Sequence, residues 1–238
     1  ELVDKVDDFI SAYKIGSGDI TWSGIVDYIA SKNKPVLLAT GASDMNEVDV
    51  AMSILLQRTN DIVLMQCNTN YTASLGNFKY INLNVLKEYS RKYPDCVLGL
   101  SDHTPGHATV LGAVALGARV IEKHFTNNTN REGPDHKFSM DFNSWRNMVN
   151  RTRELENALG SSTKRVEFNE KETVILQRRS IRTKKDLVIG DRIHENDIEF
   201  LRPCPEGALP PYELEKILNR ELAEDIKSGD YLKWTSIK

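Results

Sequence analysis

The sequence predicts an α/β fold, in which parallel strands alternate with helices along the chain. Short apolar runs rich in branched residues recur five times, and segments with helical spacing separate them. Continuous apolar runs are typical of parallel strands, because helices cover such strands. A helix between two runs also returns the chain so that the next strand lies parallel to the last. The five runs are residues 12–18, 35–41, 62–67, 96–102 and 118–125.

The segments between the runs have the spacing of amphipathic helices. In the third, Ile81, Val85 and Tyr89 recur at intervals that place them on one helical face. A helix of this kind buries its apolar face against the sheet and exposes the opposite face to water. The predicted helices are residues 25–31, 45–56, 80–92, 108–116 and 143–159.

Polar residues at the ends of the strands distinguish between two α/β architectures. A doubly wound sheet that binds a dinucleotide carries G-x-G-x-x-G, and "GSGD" at residues 16–19 lacks the third glycine. A (β/α)₈ barrel collects one polar group from each of several strand ends into one pocket, and that pattern is present. The sequence therefore favours a barrel, but with five strands where eight are needed, so we expect a barrel truncated at its N-terminus. The polar residues are Lys14, Ser17, Thr40, Cys67, Thr69, Ser101, His103, Glu122 and His124.

Composition excludes several classes of protein. The formal net charge of −3 comes without a basic run, which argues against nucleic acid as a partner. No apolar stretch reaches the roughly 20 residues that span a bilayer, so no membrane association is expected. Three widely spaced cysteines, Cys67, Cys96 and Cys204, fit reduced thiols in a cytoplasmic protein.

The character of the sequence changes near Gly160. Residues 161–173 are polar and charged and predict a linker. Short strand-like pieces with turn signals follow, around one helix predicted at residues 212–218. The predicted division is a barrel at 1–160, the linker, and a small, mostly β domain at 174–238 with a thin core.

Two histidines follow neighbouring predicted strands, and together they predict a metal site. Adjacent parallel strands lie about 4.8 Å apart, so His103 and His124 converge at the same edge of the sheet. Neutral imidazoles at that separation can share a divalent cation that keeps open positions for water or substrate oxygen. Asp102 and Glu122 are candidate partners that would orient the two rings. No function is assigned to His107 or His194.

Lys14 predicts a second part of the same pocket. Lysines are rarely buried without a partner, so a lysine within the strand "YKI" either extends its amine to the strand end or meets an anion. The hydroxyls of Ser17 and Thr40 supply further donors at that end of the barrel. The residues alone therefore predict a phosphorylated or carboxylated substrate beside a divalent metal.

Six motifs, in order along nearly the whole chain, carry a family resemblance. They are "YKIGSGDIT", "LLATG", "GLSDHTPG", "VIEKHFT", "GPDHKFS" and a C-terminal segment that begins "LRPCPEGALPP". Together they resemble the sialic acid synthase family. The resemblance implies a (β/α)₈ barrel followed by a SAF, or antifreeze-like, domain, with strands four to eight of the barrel in this chain and roughly the first hundred residues of a typical member absent.

The resemblance also implies an activity. Family members condense phosphoenolpyruvate with an N-acetylated amino-sugar aldehyde, of the N-acetylmannosamine type, to give a nonulosonic (sialic) acid and phosphate. By motif, His103 and His124 would hold Mn²⁺ or Mg²⁺ and, with Lys14, act in catalysis. The small domain would cover the sugar of a partner in a domain-swapped homodimer. The implied substrate-binding residues are Lys14, Ser17, Asp19, Thr69, Tyr71, Ser101, Asp135, Arg178 and Arg202.

Departures from the family pattern bear on the substrate. Ala39 replaces a serine that contacts phosphoenolpyruvate in many members, Thr69 replaces an asparagine of some, and Arg178 is lysine in some relatives. Two alternatives stay open: another metal-assisted barrel enzyme, a hydrolase or aldolase with a carbohydrate-binding lid, and a C-terminal domain that acts only as a binding module. The 238 residues by themselves are expected to be inactive, since an incomplete barrel exposes two sheet edges.

Overall fold

The computed structural model describes all residues, 1–238. They divide into two compact units, unit 1 at residues 1–160 and unit 2 at residues 161–238. No helix combines the length and the apolar character that crossing a bilayer requires.

Unit 1 is built on one parallel sheet whose strands lie side by side in chain order. This arrangement confirms the predicted α/β fold, and each strand falls within one of the five apolar runs. The strands are β1 (Tyr13–Ile15), β2 (Val36–Ala39), β3 (Ile62–Cys67), β4 (Val97–Asp102) and β5 (Val120–Lys123).

Six helices flank the strands of unit 1. They are α1 (Leu2–Asp7), α2 (Ser23–Ala30), α3 (Met45–Leu55), α4 (Val85–Lys92), α5 (Ala108–Ala115) and α6 (Phe142–Leu159). Of the five predicted helices, only the one predicted at residues 80–92 differs clearly from the structure. There the chain first forms a 3₁₀ helix, Leu75–Tyr80, and Asn82 then adopts a left-handed φ of 50°. Because a residue in that conformation cannot continue a right-handed helix, α4 begins at Val85.

Alternate residues of each strand bury their side chains against the helices. Leu38, Leu64 and Leu100 are completely buried in one apolar cluster with residues of α2, α3, α4 and α5. Since side chains alternate along a strand, the residues between them face the other side of the sheet. The sheet therefore has a helix-covered outer face and a second face on which the polar side chains project.

That second face is concave. Lys14 and Glu122 lie on β1 and β5, the two edge strands, yet their charged groups are 3.0 Å apart. In a flat five-stranded sheet the edge strands would be about 19 Å apart, a distance that these two side chains cannot bridge. The sheet must therefore curl, as the strands of an α/β barrel do, and its polar side chains converge.

Unit 2 has a small, mostly irregular β structure with its own core. Strands β6 (Ser180–Thr183) and β7 (Ile198–Leu201) pair antiparallel, and a short helix, α8, spans Leu214–Ile217. Buried residues at the centre of the unit include Ile181, Leu222 and Leu232. The segment predicted as a linker is partly helical. The Glu167 N–H donates to the Glu170 carboxylate at 3.1 Å across a 3₁₀ turn, Phe168–Glu170, and helix α7 follows at Lys171–Gln177.

Candidate active site

Two imidazoles and two aromatic rings meet at the carboxyl end of the sheet. His103 follows β4 and His124 follows β5, and their ring centroids lie 5.1 Å apart. Tyr71, from the loop after β3, lies 4.2 Å from the His103 ring, and Phe138 lies 4.9 Å from the His124 ring. The aromatic rings pack against the imidazoles and limit the orientations that they can adopt.

The structure indicates which nitrogen of His103 is free. The Nδ1 atom lies 2.8 Å from the backbone carbonyl oxygen of Asn68. Because a carbonyl oxygen only accepts, Nδ1 carries the proton and Nε2 keeps its lone pair. Burial of the ring lowers the pKa of His103, which favours the neutral form that can bind a metal.

His124 has a similar arrangement with a different partner. Its Nδ1 atom lies 3.5 Å from Oδ2 of Asp135, and both side chains are partly exposed to solvent. A carboxylate at this position favours a proton on Nδ1 and leaves Nε2 available. Carbonyl and carboxylate oxygens are the usual partners of the outer nitrogen of metal-binding histidines.

The two histidines fit a shared divalent cation. Imidazole nitrogens bound at about 2.1 Å to one cation, at an angle between a right angle and the tetrahedral angle, place the ring centroids about 5 Å apart. The observed separation of 5.1 Å agrees. No group of three or more His, Cys, Asp or Glu side chains is arranged so that it could hold a metal ion. A cation held here would therefore take its other ligands from water or substrate, as a Lewis-acid site requires.

A cationic and hydroxyl-rich region lies on the same concave face. The Lys14 ammonium pairs with Glu122, and both side chains stay partly exposed. The hydroxyls of Ser17 and Ser101 lie near the Cys67 thiol, and burial raises the pKa of that thiol. Ser17 Oγ also accepts a 2.9 Å hydrogen bond from the backbone N–H of Gly41. That bond leaves the hydroxyl proton of Ser17 free to be donated.

The structure corrects the prediction for Thr40. Its hydroxyl is buried, donates to the carbonyl of Met65 at 2.9 Å and accepts from the Tyr89 hydroxyl at 2.9 Å. Tyr89 belongs to α4, so Thr40 faces the helices and not the concave side. It therefore cannot supply a donor to an anion in the pocket.

The predicted partners of the two histidines are also wrong. Asp102 is buried on the helix side, where it pairs with Lys123 at 2.7 Å. Glu122 points to the concave face but pairs with Lys14. The ring of His103 instead bonds to the carbonyl of Asn68, and the carboxylate nearest to the His124 Nδ1 atom is that of Asp135, at 3.5 Å.

The other predicted substrate residues are found in two places. Thr69 lies beside Gly41 on the concave face, whereas Asp19 is exposed in the 3₁₀ turn after β1, with no side-chain hydrogen bond. Arg178 and Arg202 belong to unit 2, where Arg202 Nε donates to the carbonyl of Gln177 at 2.7 Å. Substrate contacts of these two arginines stay predictions.

Sequence reasoning missed Asn68 and Phe138. Asn68 acts through its backbone carbonyl, so the identity of its side chain carries no signal for that role. Phe138 is buried and contacts both imidazoles. Its place in the same "GPDHKFS" motif as Asp135 was the available signal.

Fold and site together place unit 1 in the class of α/β-barrel proteins whose pocket lies at the carboxyl ends of parallel strands. The sequence pattern of the NeuB family matches residues 1–164, and that of the SAF domain matches residues 178–238. The chain belongs to the NeuB family, which confirms the resemblance to the sialic acid synthases.

Known relatives match almost the whole chain. An uncharacterized protein of Methanocaldococcus jannaschii is 37% identical over 229 residues, which cover 96% of this chain and 66% of that protein. The N,N'-diacetyllegionaminic acid synthase of Legionella pneumophila is 35% identical over 234 residues, 96% of this chain and 64% of the enzyme. The chain thus spans just under two thirds of the length of these two relatives.

A solved structure extends the comparison to the fold. The N-acetylneuraminic acid synthetase of Leptospira borgpetersenii, in complex with citrate, superposes with a TM-score of 0.63 at 27% sequence identity. The superposition covers 70% of this chain and 57% of that enzyme.

Proposed function

We propose that the natural protein condenses phosphoenolpyruvate with the aldehyde of an N-acetylated amino sugar and releases phosphate. The observation that supports this most strongly is a single concave face that carries the two adjacent imidazoles together with the Lys14 ammonium and the Ser17 and Ser101 hydroxyls. The products of such a reaction are nonulosonic acids. The two enzymes compared above, a legionaminic acid synthase and a neuraminic acid synthetase, are named for acids of this class.

The proposed reaction forms one carbon–carbon bond. C3 of phosphoenolpyruvate attacks the aldehyde carbon, water adds to the resulting cationic centre at C2, and cleavage of the C–O bond expels phosphate. A divalent metal, Mn²⁺ or Mg²⁺, supplies a Lewis acid that polarises the aldehyde oxygen. His103 and His124 would hold it, each through the Nε2 atom left free by its partner at Nδ1.

The chain's own residues bind and orient the anionic substrate. The Lys14 ammonium offers three donors to phosphate or carboxylate oxygens, and the Ser17 and Ser101 hydroxyls add directional hydrogen bonds. Glu122 pairs with the Lys14 ammonium when no substrate is bound, so an entering anion competes with the Glu122 carboxylate for that ammonium. Because both groups are partly exposed, the competition does not require a buried charge to be stripped of its partner.

Further roles follow from the family and stay part of the proposal. Asp19, Thr69, Tyr71 and Asp135 would contact the sugar, which we propose to be of the N-acetylmannosamine type. Arg178 would contact phosphoenolpyruvate, and Arg202 would reach the sugar bound by a second subunit. The protein would then be a domain-swapped homodimer. Its free cysteines fit the predicted cytoplasmic location.

The test uses the natural full-length protein, phosphoenolpyruvate, Mn²⁺ and a panel of N-acetylated hexosamines, with release of phosphate as the readout. We expect release only when sugar, phosphoenolpyruvate and metal are all present. Hydrolysis of another substrate without any requirement for phosphoenolpyruvate would instead favour the hydrolase alternative. Formation of a subunit pair is measured separately by analytical ultracentrifugation.

Three histidine variants sharpen the test. His103→Ala and His124→Ala should each lose Mn²⁺ binding and turnover together. His107→Ala is the matched control, because His107 lies only a few residues away at the start of α5 and makes no side-chain cap there. Activity retained in His103→Ala or His124→Ala would contradict the proposed site.

A further inference from the structure

A buried ion pair lies directly behind the two histidines. Lys123 Nζ is 2.7 Å from Asp102 Oδ2, and only 1% of each side chain is exposed. Lys123 is the residue before His124, and Asp102 is the residue before His103. Neither charged group takes part in the proposed chemistry, so their burial requires another explanation.

The pair connects the ends of β4 and β5. Asp102 and Lys123 are partners in the parallel register of the two strands. Side chains alternate along an extended chain, so this pair projects toward the helices while the residue that follows each strand, a histidine, projects to the concave face. The pair therefore joins the two strands at the level from which the imidazoles emerge.

The same pair holds the loop that follows His103. The Thr104 backbone N–H donates to Asp102 Oδ1 at 3.1 Å, and the Thr104 carbonyl accepts from Lys123 Nζ at 2.6 Å. Both backbone polar groups of the residue after His103 are thus bound by these two side chains. The backbone of His103 is held between Asp102 on one side and Thr104 on the other.

Hydroxyl groups complete the network. The Thr109 hydroxyl, in the first turn of α5, donates to Asp102 Oδ2 at 2.6 Å, and the Thr104 hydroxyl also contacts the carboxylate. The network consequently joins β5, β4, the loop after β4 and α5. A buried network in which every donor and acceptor is hydrogen-bonded is rigid, because moving one group would leave a polar atom unpaired in the protein interior, which is costly in free energy.

A buried ion pair is a poor means of stabilising a fold, since well-packed apolar side chains of similar volume often do as well or better. We infer that the pair of Asp102 and Lys123, with Thr104 and Thr109, is a positioning device. It holds His103 and His124 at the separation at which they can share one divalent cation. The inference rests on the proposed function.

The main test removes both charges at once, because loss of one partner alone would leave a buried unpaired charge. In the natural full-length protein, Asp102→Leu with Lys123→Met removes the hydrogen-bond partners of Thr104 and Thr109 as well, so its Tm should fall. The folded double variant should bind Mn²⁺ at least tenfold more weakly, as followed by electron paramagnetic resonance of free Mn²⁺. The turnover number should fall and be partly restored by excess Mn²⁺, whereas KM for phosphoenolpyruvate should change less than twofold. A purely structural pair would not give rescue by metal.

A matched control removes another ion pair. Asp49 and Lys92 form a partly exposed pair between α3 and α4, and Asp49→Leu with Lys92→Met should leave Mn²⁺ affinity unchanged.

Two milder variants at Thr109 test the same role if the main double variant does not fold. Thr109→Val keeps the shape but loses the hydroxyl and should weaken Mn²⁺ binding about threefold, whereas Thr109→Ser should not.

The outcomes separate the two proposals. If the unaltered protein binds no Mn²⁺ and releases no phosphate, the proposed function fails and the positioning role fails with it. If the unaltered protein is active but the folded double variant, or Thr109→Val, binds Mn²⁺ as well as the unaltered protein does, only the positioning role is overturned.

Discussion

Gly41 is the position at which the smallest change should have the largest effect on the concave face. An added Cβ atom would lie 2.6 Å from Thr69 Cγ2, 2.9 Å from Ser17 Oγ and 3.1 Å from Cys67 Sγ. Carbon atoms pack best at about 3.5–4.0 Å, so Gly41→Ala must displace the Thr69 methyl group by roughly 1 Å. It must also move the Ser17 hydroxyl, which accepts the Gly41 N–H.

Two magnitudes follow for Gly41→Ala. Overpacking of this kind costs about 1–3 kcal/mol in the free energy of unfolding. Loss of a Ser17 hydrogen bond to a charged substrate group costs about 1.5–3 kcal/mol, which corresponds to roughly 10- to 150-fold in affinity. We therefore expect a lower Tm and a raised KM for phosphoenolpyruvate, with KM for the sugar much less affected.

The assay compares Gly41→Ala with Gly24→Ala in the natural full-length protein. Gly24 lies in α2, and its added Cβ would make only ordinary contacts, the nearest at 3.5 Å from the Trp22 side chain. Steady-state phosphate release gives the two KM values, and thermal unfolding gives Tm. If Gly41→Ala keeps both the KM for phosphoenolpyruvate and the Tm of the unaltered protein, the crowding argument is refuted.

Three other predictions concern the core, the metal site and the pH dependence of stability. Leu100→Ala, at a completely buried position, should lower the free energy of unfolding, measured in urea, by about 2–5 kcal/mol. A decrease of less than about 1 kcal/mol would contradict the place of Leu100 in the core. Asp135→Asn should weaken Mn²⁺ binding by about 10- to 100-fold, measured by electron paramagnetic resonance; unchanged affinity would rule out a role for this carboxylate beside His124. Lys92 and Tyr93 lower the pKa of Asp49 from its ordinary value of 3.8. The stability that this ionised carboxylate adds is present above pH 3.8 and is lost as the pH falls through the lowered pKa. The difference in free energy of unfolding between the unaltered protein and Asp49→Asn, measured in urea, should therefore shrink as the pH is lowered from neutral to acid. A difference that stays constant would count against this ion pair.

The order of elements could be predicted because it depends on local patterns. Branched apolar runs such as "PVLLA" and "IVLMQC" are typical of covered strands, and helical segments between them are typical of parallel strands. The closeness of His103 and His124 followed from the same logic, since neighbouring parallel strands end at one edge. The interruption before α4 was not visible, because the left-handed turn at Asn82 is a choice of backbone conformation that other residues also constrain.

The faces of the strands were harder to predict. Alternation identifies a face only when one side of the sheet is polar, and strands covered on both sides lack that contrast. For this reason Thr40 was expected in the pocket, whereas it bonds to Tyr89 on the helix side. Asp102 likewise faces the helices, where it pairs with Lys123, and does not lie beside the imidazoles.

The sequence by itself determined the α/β fold, the small second domain, the pair of histidines and the family, because these depend on local periodicity and on short motifs. Only the tertiary structure decided which polar groups share a face and which atoms they bind. The curl of the sheet brings Lys14 of β1 to Glu122 of β5, and the register of β4 and β5 buries Asp102 against Lys123. Such pairings join residues that are distant in the chain, so no local pattern can specify them.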